Sequence, residues 1–173
     1  MLLTLRVIHI LSAAALLGAI LFNYFLLRPS LRLIPPAHAV VIAQRVGTSF
    51  TILGLTALSL LFASGVLRLY FAGLLDQTLT WEFYLSPFGR WLAVMVFGWL
   101  VTTVSASIMT ITLRPTLVRK LDPTANPTLS DVEARRTAQL LASGWLDRLQ
   151  LVNLAGSTLA LLAGASTMFG GFF

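Results

Sequence analysis

Four stretches of this chain, residues 7–27, 46–67, 91–113 and 149–173, contain no Lys, Arg, Asp or Glu. Each is long enough to cross a bilayer, because a spanning helix needs about 20 mostly apolar residues at ~1.5 Å rise per residue. Hydrocarbon offers no partner to a bare backbone N–H or C=O, so runs of this length are expected to be helical. The chain is therefore read as an all-α membrane protein, a single four-transmembrane-helix bundle over residues 1–173. The spans fall at about 5–27, 46–72, 89–113 and 147–170, with basic loops at about 28–45 and 114–146 on one side.

Composition leaves little else. Of 173 residues, 57% are hydrophobic and 10% charged, which leaves almost no material for a soluble domain. The net charge of +6 sits in loops beside apolar spans, where it reports topology rather than a nucleic-acid partner. With no cysteine, disulfides, thiolate metal sites and thiol catalysis are excluded. The first apolar segment runs into Leu27-Arg28-Pro29 with no small-residue cleavage pattern, so it is read as helix one and not as a signal peptide.

The loops after the first and third spans hold Arg28, Arg32, Arg45, Arg114, Arg119, Lys120, Arg135, Arg136 and Arg148, against Arg6, Arg68 and Arg90 on the other side. That asymmetry predicts a bacterial inner-membrane protein with both termini outside and the basic loops in the cytoplasm.

Leu27-Arg28-Pro29-Ser30-Leu31 recurs as Leu113-Arg114-Pro115-Thr116-Leu117, 86 positions later. Proline ends a helix, and arginine suits a helix carboxyl terminus at an anionic surface, so two helices could share one stop signal. The sharper reading is a duplicated helical hairpin, its copies related by an axis along the membrane normal. Pro35-Pro36 suits the first turn of a second helix that extends beyond its apolar run. Residues 116–128 read as a break, and Ser130 with Glu133 as a capping box opening the last helix. Residues 76–89, with Trp81, Phe83, Tyr84, Phe88, Asp76 and Glu82, read as an interfacial belt whose acids could pair with Arg68 and Arg90. Ala14 and Gly18, and Gly156, Ala160 and Gly164, are spaced four apart and permit close helix approach, within the bundle or toward another subunit.

Few residues could carry chemistry. His9 is the histidine inside a span, and an intramembrane ionisable group is a functional candidate. The plainer reading is a neutral histidine bonded near the outer interface. Arg6, Arg68 and Arg90 fall near the outer helix ends and could bind an anion or a lipid headgroup, or simply snorkel. Shifting His9 by the repeat gives Met95 at matching depth, and Met168 and Met1 fall on the same side. Imidazole with thioethers is a soft set that suits Cu(I), though methionine also fills packing gaps. A single haem on His9 and Met95 has no supporting motif. With no acid in mid-span and no Walker, dinucleotide, zincin or nucleophile-elbow motif, enzymatic activity is not expected.

With these residues in view, the chain resembles the CopD-like (copper-resistance protein D) family of bacterial membrane proteins. Arg6-Val-Ile-His9 followed by small residues and Gly18, the run to Leu-Arg-Pro29, Ser64-Gly65, Phe88-Gly89-Arg90-Trp91-Leu92 and Arg148 carry the resemblance. It implies copper binding or transfer at the outer face, with His9 as the position carried over. Val94 and Met95 stand where that family often has a lysine, and Gln150 and Asn153 where an acid often begins the last helix. Two functions are thus in play. One is copper handling at His9 and Met95, assisted by Met168 or Met1. The other is a non-catalytic accessory subunit of a larger respiratory or photosynthetic membrane complex, packing on protein partners or on its own copies and binding lipid or pigment.

Overall fold

The structure, a computed structural model, describes residues 1–31, 33–118 and 128–168, excluding the side chains of Pro36, Ala37, Val40, Val118 and Met168. The described residues hold no strand. Four helices are long and apolar enough to span a membrane: α1 (Leu2–Leu31), α2 (Pro36–Phe71), α4 (Pro87–Leu117) and α5 (Leu129–Met168). A short α3 (Trp81–Leu85) lies between the second and third.

What is buried also suits lipid. Leu16, Ala57, Leu58 and Ala163 share the interior with Ser12, Ser64, Thr102, Ser105, Gln150, Asn153 and Ser157, while Leu3, Phe97 and Ile111 point outward. In water such an apolar surface would drive association. In a bilayer, lipid covers it, and small and polar residues take the helix contacts.

The motif repeated 86 positions apart performs one structural task twice. In α1 the regular stretch Leu2–Leu21 passes into a π-helical turn, Phe22–Leu27, before Arg28–Leu31. In α4 the stretch Pro87–Ile108 passes into the π turn Met109–Leu113 before Arg114–Val118. The Arg28 N–H donates to Asn23 O and the Arg114 N–H to Met109 O, five residues back each time. An α-helix would drive the following proline ring into the carbonyl four residues earlier. The extra residue of the π turn moves it clear. The hydroxyl after each proline donates to the carbonyl four residues back, Ser30 to Leu26 at 2.7 Å and Thr116 to Thr112 at 3.2 Å. The prolines therefore do not end these helices, contrary to the stop-signal expectation.

Pro36 occupies the first position of α2, as expected. Two backbone bonds close that helix, Gly73 N–H to Tyr70 O and Leu74 N–H to Leu69 O. This is a Schellman motif, with Gly73 at φ +68° where a Cβ would be strained. Ser86 caps α4 by accepting from the Gly89 N–H at 3.0 Å. The cap of α5 differs from the expected Ser130–Glu133 box: the helix starts at Leu129, two residues early. Thr128 Oγ1 accepts from the Asp131 N–H at 3.3 Å, and Asp131 Oδ2 accepts from the Thr128 N–H at 2.9 Å. Of the expected break over residues 116–128, positions 116–118 belong to the end of α4, and residues 119–127 lie outside the described residues.

The helices pack as two hairpins, α1 on α2 and α4 on α5, with lighter contact between them. In the second, a Cβ on Gly98 would fall 2.6 Å from Gly156 O and 3.0 Å from the Ala160 Cβ. The Gly156–Ala160–Gly164 stripe is thus used inside the bundle, whereas Gly18 has open space around it and Ala14 is exposed. Between hairpins, Leu16, Ala57 and Leu58 pack against Trp99 and Ala106. Trp99 Nε1 donates to Leu58 O at 3.3 Å, and its ring stacks on Phe62 at 5.3 Å.

The second and fourth spanning helices outrun the first and third. At 36 and 40 residues, α2 and α5 are ~54 and ~60 Å long, against a hydrocarbon core of ~30 Å. Their first turns project at the end carrying Arg28 and Arg114, hereafter the basic end. Arg148 rests over the Trp145 ring at 5.3 Å, just before the apolar part of α5.

Candidate functional site

The residues singled out at the opposite end fall into separate places. His9 and Ser64 meet across the first hairpin, Nδ1 to Oγ at 2.9 Å. The Ser64 hydroxyl also bonds the Leu60 carbonyl at 2.5 Å, and when it donates there its oxygen accepts from a protonated His9 Nδ1. In the neutral ring this leaves Nε2 with a lone pair. The imidazole lies over Gly65, where a Cβ would be 3.5 Å from Cε1. Arg68, one turn beyond Ser64, is close enough for its charge to act on His9, and Arg6 acts on Arg68 in turn.

Met95 belongs to the other hairpin, with its Sδ 3.4 Å from where a Gly164 Cβ would stand. His9 over Gly65 and Met95 over Gly164 are equivalent placements, one in each hairpin. The repeat-related pair thus makes one close contact in each hairpin. Met1 is exposed, and the Met168 side chain lies outside the described residues. Arg90 is exposed at the start of α4. Neither Asp76 nor Glu82 forms an ion pair with Arg68 or Arg90 among the described residues, where the ion pair present is Arg28–Asp147. No three His, Cys, Asp or Glu side chains converge among the described residues.

A different site lies between the hairpins. A partly open cavity of about 430 Å³ is lined from all four long helices. Gly47 and Gly54 help to form it, with nothing within 4 Å of a Cβ at either. Toward mid-membrane its wall is mostly aliphatic, with Leu16, Ile20, Leu55 and Leu58 beside Thr102 and Asn153. Toward the basic end Asn23, Gln44, Arg28 and Arg114 alternate with Leu27, Leu31, Leu117 and Leu146, and Thr51 and Gln150 lie just deeper.

Arg114 crosses from α4 to α2, donating from Nη1 to Thr51 Oγ1 at 3.1 Å and from Nη2 to Thr48 Oγ1. No carboxylate bonds it among the described residues. Arg28, by contrast, ties α1 to Asp147 of α5. A shallower depression lined by Gln44, Thr48, Thr110, Arg114 and Pro115 adjoins the same arginine at the cavity's basic end.

Gln150 sharpens the picture. It is only 9% exposed, and its Oε1 is buried without a hydrogen-bond partner. One turn deeper, Asn153 accepts from the Ser105 hydroxyl through Oδ1. A buried amide left unpaired in an apolar setting costs on the order of 1–3 kcal/mol, so such a group marks a place where something polar belongs.

Sequence reasoning noted Gln150 and Asn153 only as departures from a resemblance, and Arg114 only as a helix stop. The signal was present nonetheless: Asn23, Gln150 and Asn153 are carboxamides inside charge-free spans. No family model, curated protein or solved structure matches this chain.

Proposed function

We propose that this protein is a non-catalytic accessory component of a membrane that holds an amphiphilic, lipid-like molecule between its two hairpins. The cavity carries the reading: a largely aliphatic wall, two arginines at one end only, and a buried glutamine with no partner in its lining. A pocket of about 430 Å³ is in the size range of small-molecule sites. The exposed Ala14–Gly18 face offers a flat surface on which a neighbouring protein could pack. Gentle purification followed by organic extraction tests the binding. The expected result is a stoichiometric amphiphile that survives detergent washing, and its absence would sink the reading.

A second reading, the copper handling that a CopD-like resemblance implies, draws support from the His9 tautomer. A ring oriented through Nδ1, with a lone pair on Nε2, is how imidazoles are commonly set for metal ligation. Against it, the guanidinium of Arg68 repels a bound cation, and Met95 is engaged in the other hairpin. Metal analysis of the purified chain decides between the two. Near-stoichiometric copper that disappears in His9→Ala would favour this second reading.

A further inference from the structure

Both cationic residues of the cavity wall, Arg28 and Arg114, lie at its basic end among leucines, and the deeper wall is mostly aliphatic, its Thr102 and Asn153 already hydrogen-bonded within the bundle. Leu58 lies seven residues beyond Thr51 in α2, ~10 Å deeper at ~1.5 Å per residue, and Leu16 lies twelve residues before Arg28 in α1, ~18 Å deeper. A molecule entering beside Arg114 would therefore pass from a cationic end to a mostly aliphatic floor. Its head meets two demands. Arg114 brings a positive charge bonded to hydroxyls and to no carboxylate among the described residues, which favours an anion, and guanidinium matches phosphate geometry. Gln150 forms no hydrogen bond through either side-chain atom among the described residues and lacks a donor for its buried Oε1. A neutral ketone or a bare alkyl head would leave it unpaired.

We propose that the cavity seats a phospholipid from the leaflet at the basic end, whose head is a phosphodiester monoanion carrying free hydroxyls. Arg114 holds the phosphate, a rotation of the Gln150 side chain toward the cavity it lines lets its buried Oε1 accept from a head hydroxyl, and one acyl chain lies along Leu55 and Leu58 toward Leu16. This rests on the amphiphile-holding reading above and specifies the head it selects. Asn23 and Gln44 line the same end and supply further polar contacts to a hydroxylated head.

The test titrates the detergent-purified full chain with short-chain phosphatidylglycerol, phosphatidylethanol and phosphatidylcholine, read by native mass spectrometry. The first is an anion with hydroxyls, the second an anion without them, and the third a zwitterion without them. Phosphatidylglycerol is expected to bind at least tenfold more tightly than phosphatidylcholine and severalfold more tightly than phosphatidylethanol. Arg114→Gln should weaken phosphatidylglycerol at least tenfold, and Gln150→Leu should bring it to the level of phosphatidylethanol. Gly54→Leu fills the cavity from a position with open space around it and should abolish binding of all three with the melting temperature retained, which keeps the test decisive if Gln150→Leu does not fold. Equal binding of the three lipids, lost in Gly54→Leu, would overturn the headgroup assignment and leave the amphiphile reading standing. Binding untouched by Gly54→Leu would overturn both. If inorganic phosphate stabilised the protein as much as phosphatidylglycerol does, the charge site would belong to a free anion and the lipid assignment would fail.

Discussion

A methyl group added at Gly98 would land 2.6 Å from the Gly156 carbonyl, so Gly98→Ala must push α4 away from α5. Overpacking of this kind costs typically about 1–3 kcal/mol. Gly18→Ala meets nothing within 4 Å and gains helix propensity of about 0.8–1.0 kcal/mol. Thermal unfolding in detergent should therefore separate the two variants in opposite directions, and coincident midpoints would refute the close approach. The His9–Ser64 bond is measurable by a double-mutant cycle on His9→Ala and Ser64→Ala. Interhelical bonds in membranes average ~0.6 kcal/mol with a maximum of ~1.7, and a coupling in that range is expected. At this scale the sequence was only half legible. The Gly156–Ala160–Gly164 spacing signalled a close approach, but four-residue spacing is a property of one helix and does not say which face another helix takes; Ala14–Gly18, spaced alike, turned outward. His9 and Met95 were matched in depth by the repeat, yet depth carries no information about azimuth, and each residue turned to its own hairpin partner.

The repeated Arg-Pro device makes its own prediction. A π turn holds one residue more than the α-helix it interrupts, so deleting one residue within 109–113 should keep Arg114 near its face and destabilise the helix only locally, through the Pro115 clash the turn relieves. Deleting one residue from the regular stretch Pro87–Ile108 rotates everything beyond it by about 100° and should unfold the hairpin. Expression as monodisperse protein separates the outcomes. At the start of α5, hydrogen bonds from the Thr128 hydroxyl and N–H hold the Asp131 carboxyl below its usual range. A depressed folded value stabilises the cap above the unfolded pKa of ~3.9, and the contribution is lost as pH falls through the folded value. Amide exchange over residues 129–133 should therefore accelerate in strong acid and in Thr128→Ala, and stay unchanged in Glu133→Ala. The existence of the long helices was plain from charge-free length. Their ends were not, because a proline's effect depends on whether the preceding turn can widen, and the choice of cap among Thr128, Ser130 and their acids depends on a register that composition leaves open.

For the molecule as a whole, the cysteine-free chain allows clean tests of topology. A single cysteine at Ser130, on the projecting part of α5, should react with an impermeant thiol reagent only from the cytoplasmic side of sealed membranes, as the nine-to-three basic asymmetry predicts. Leu58→Cys, buried against Leu16, should stay unreactive from either side. Reaction of the Ser130 position from outside would invert the orientation. The four-span architecture was the most legible level, since hydrocarbon thickness and backbone satisfaction fix helix number from length alone. The inter-hairpin cavity was the least legible, because it exists only through the relative placement of two hairpins that share little contact. That placement gives the protruding helices a mechanical role. Each is one unbroken rod that runs on past the basic end and is gripped below it, α5 by Gly98 of its own hairpin and α2 by His9. A sideways load on either tip acts on a lever whose fulcrum lies at the membrane surface. Such a deflection would reach the seam between the hairpins beside Arg114, where helix contact is lightest.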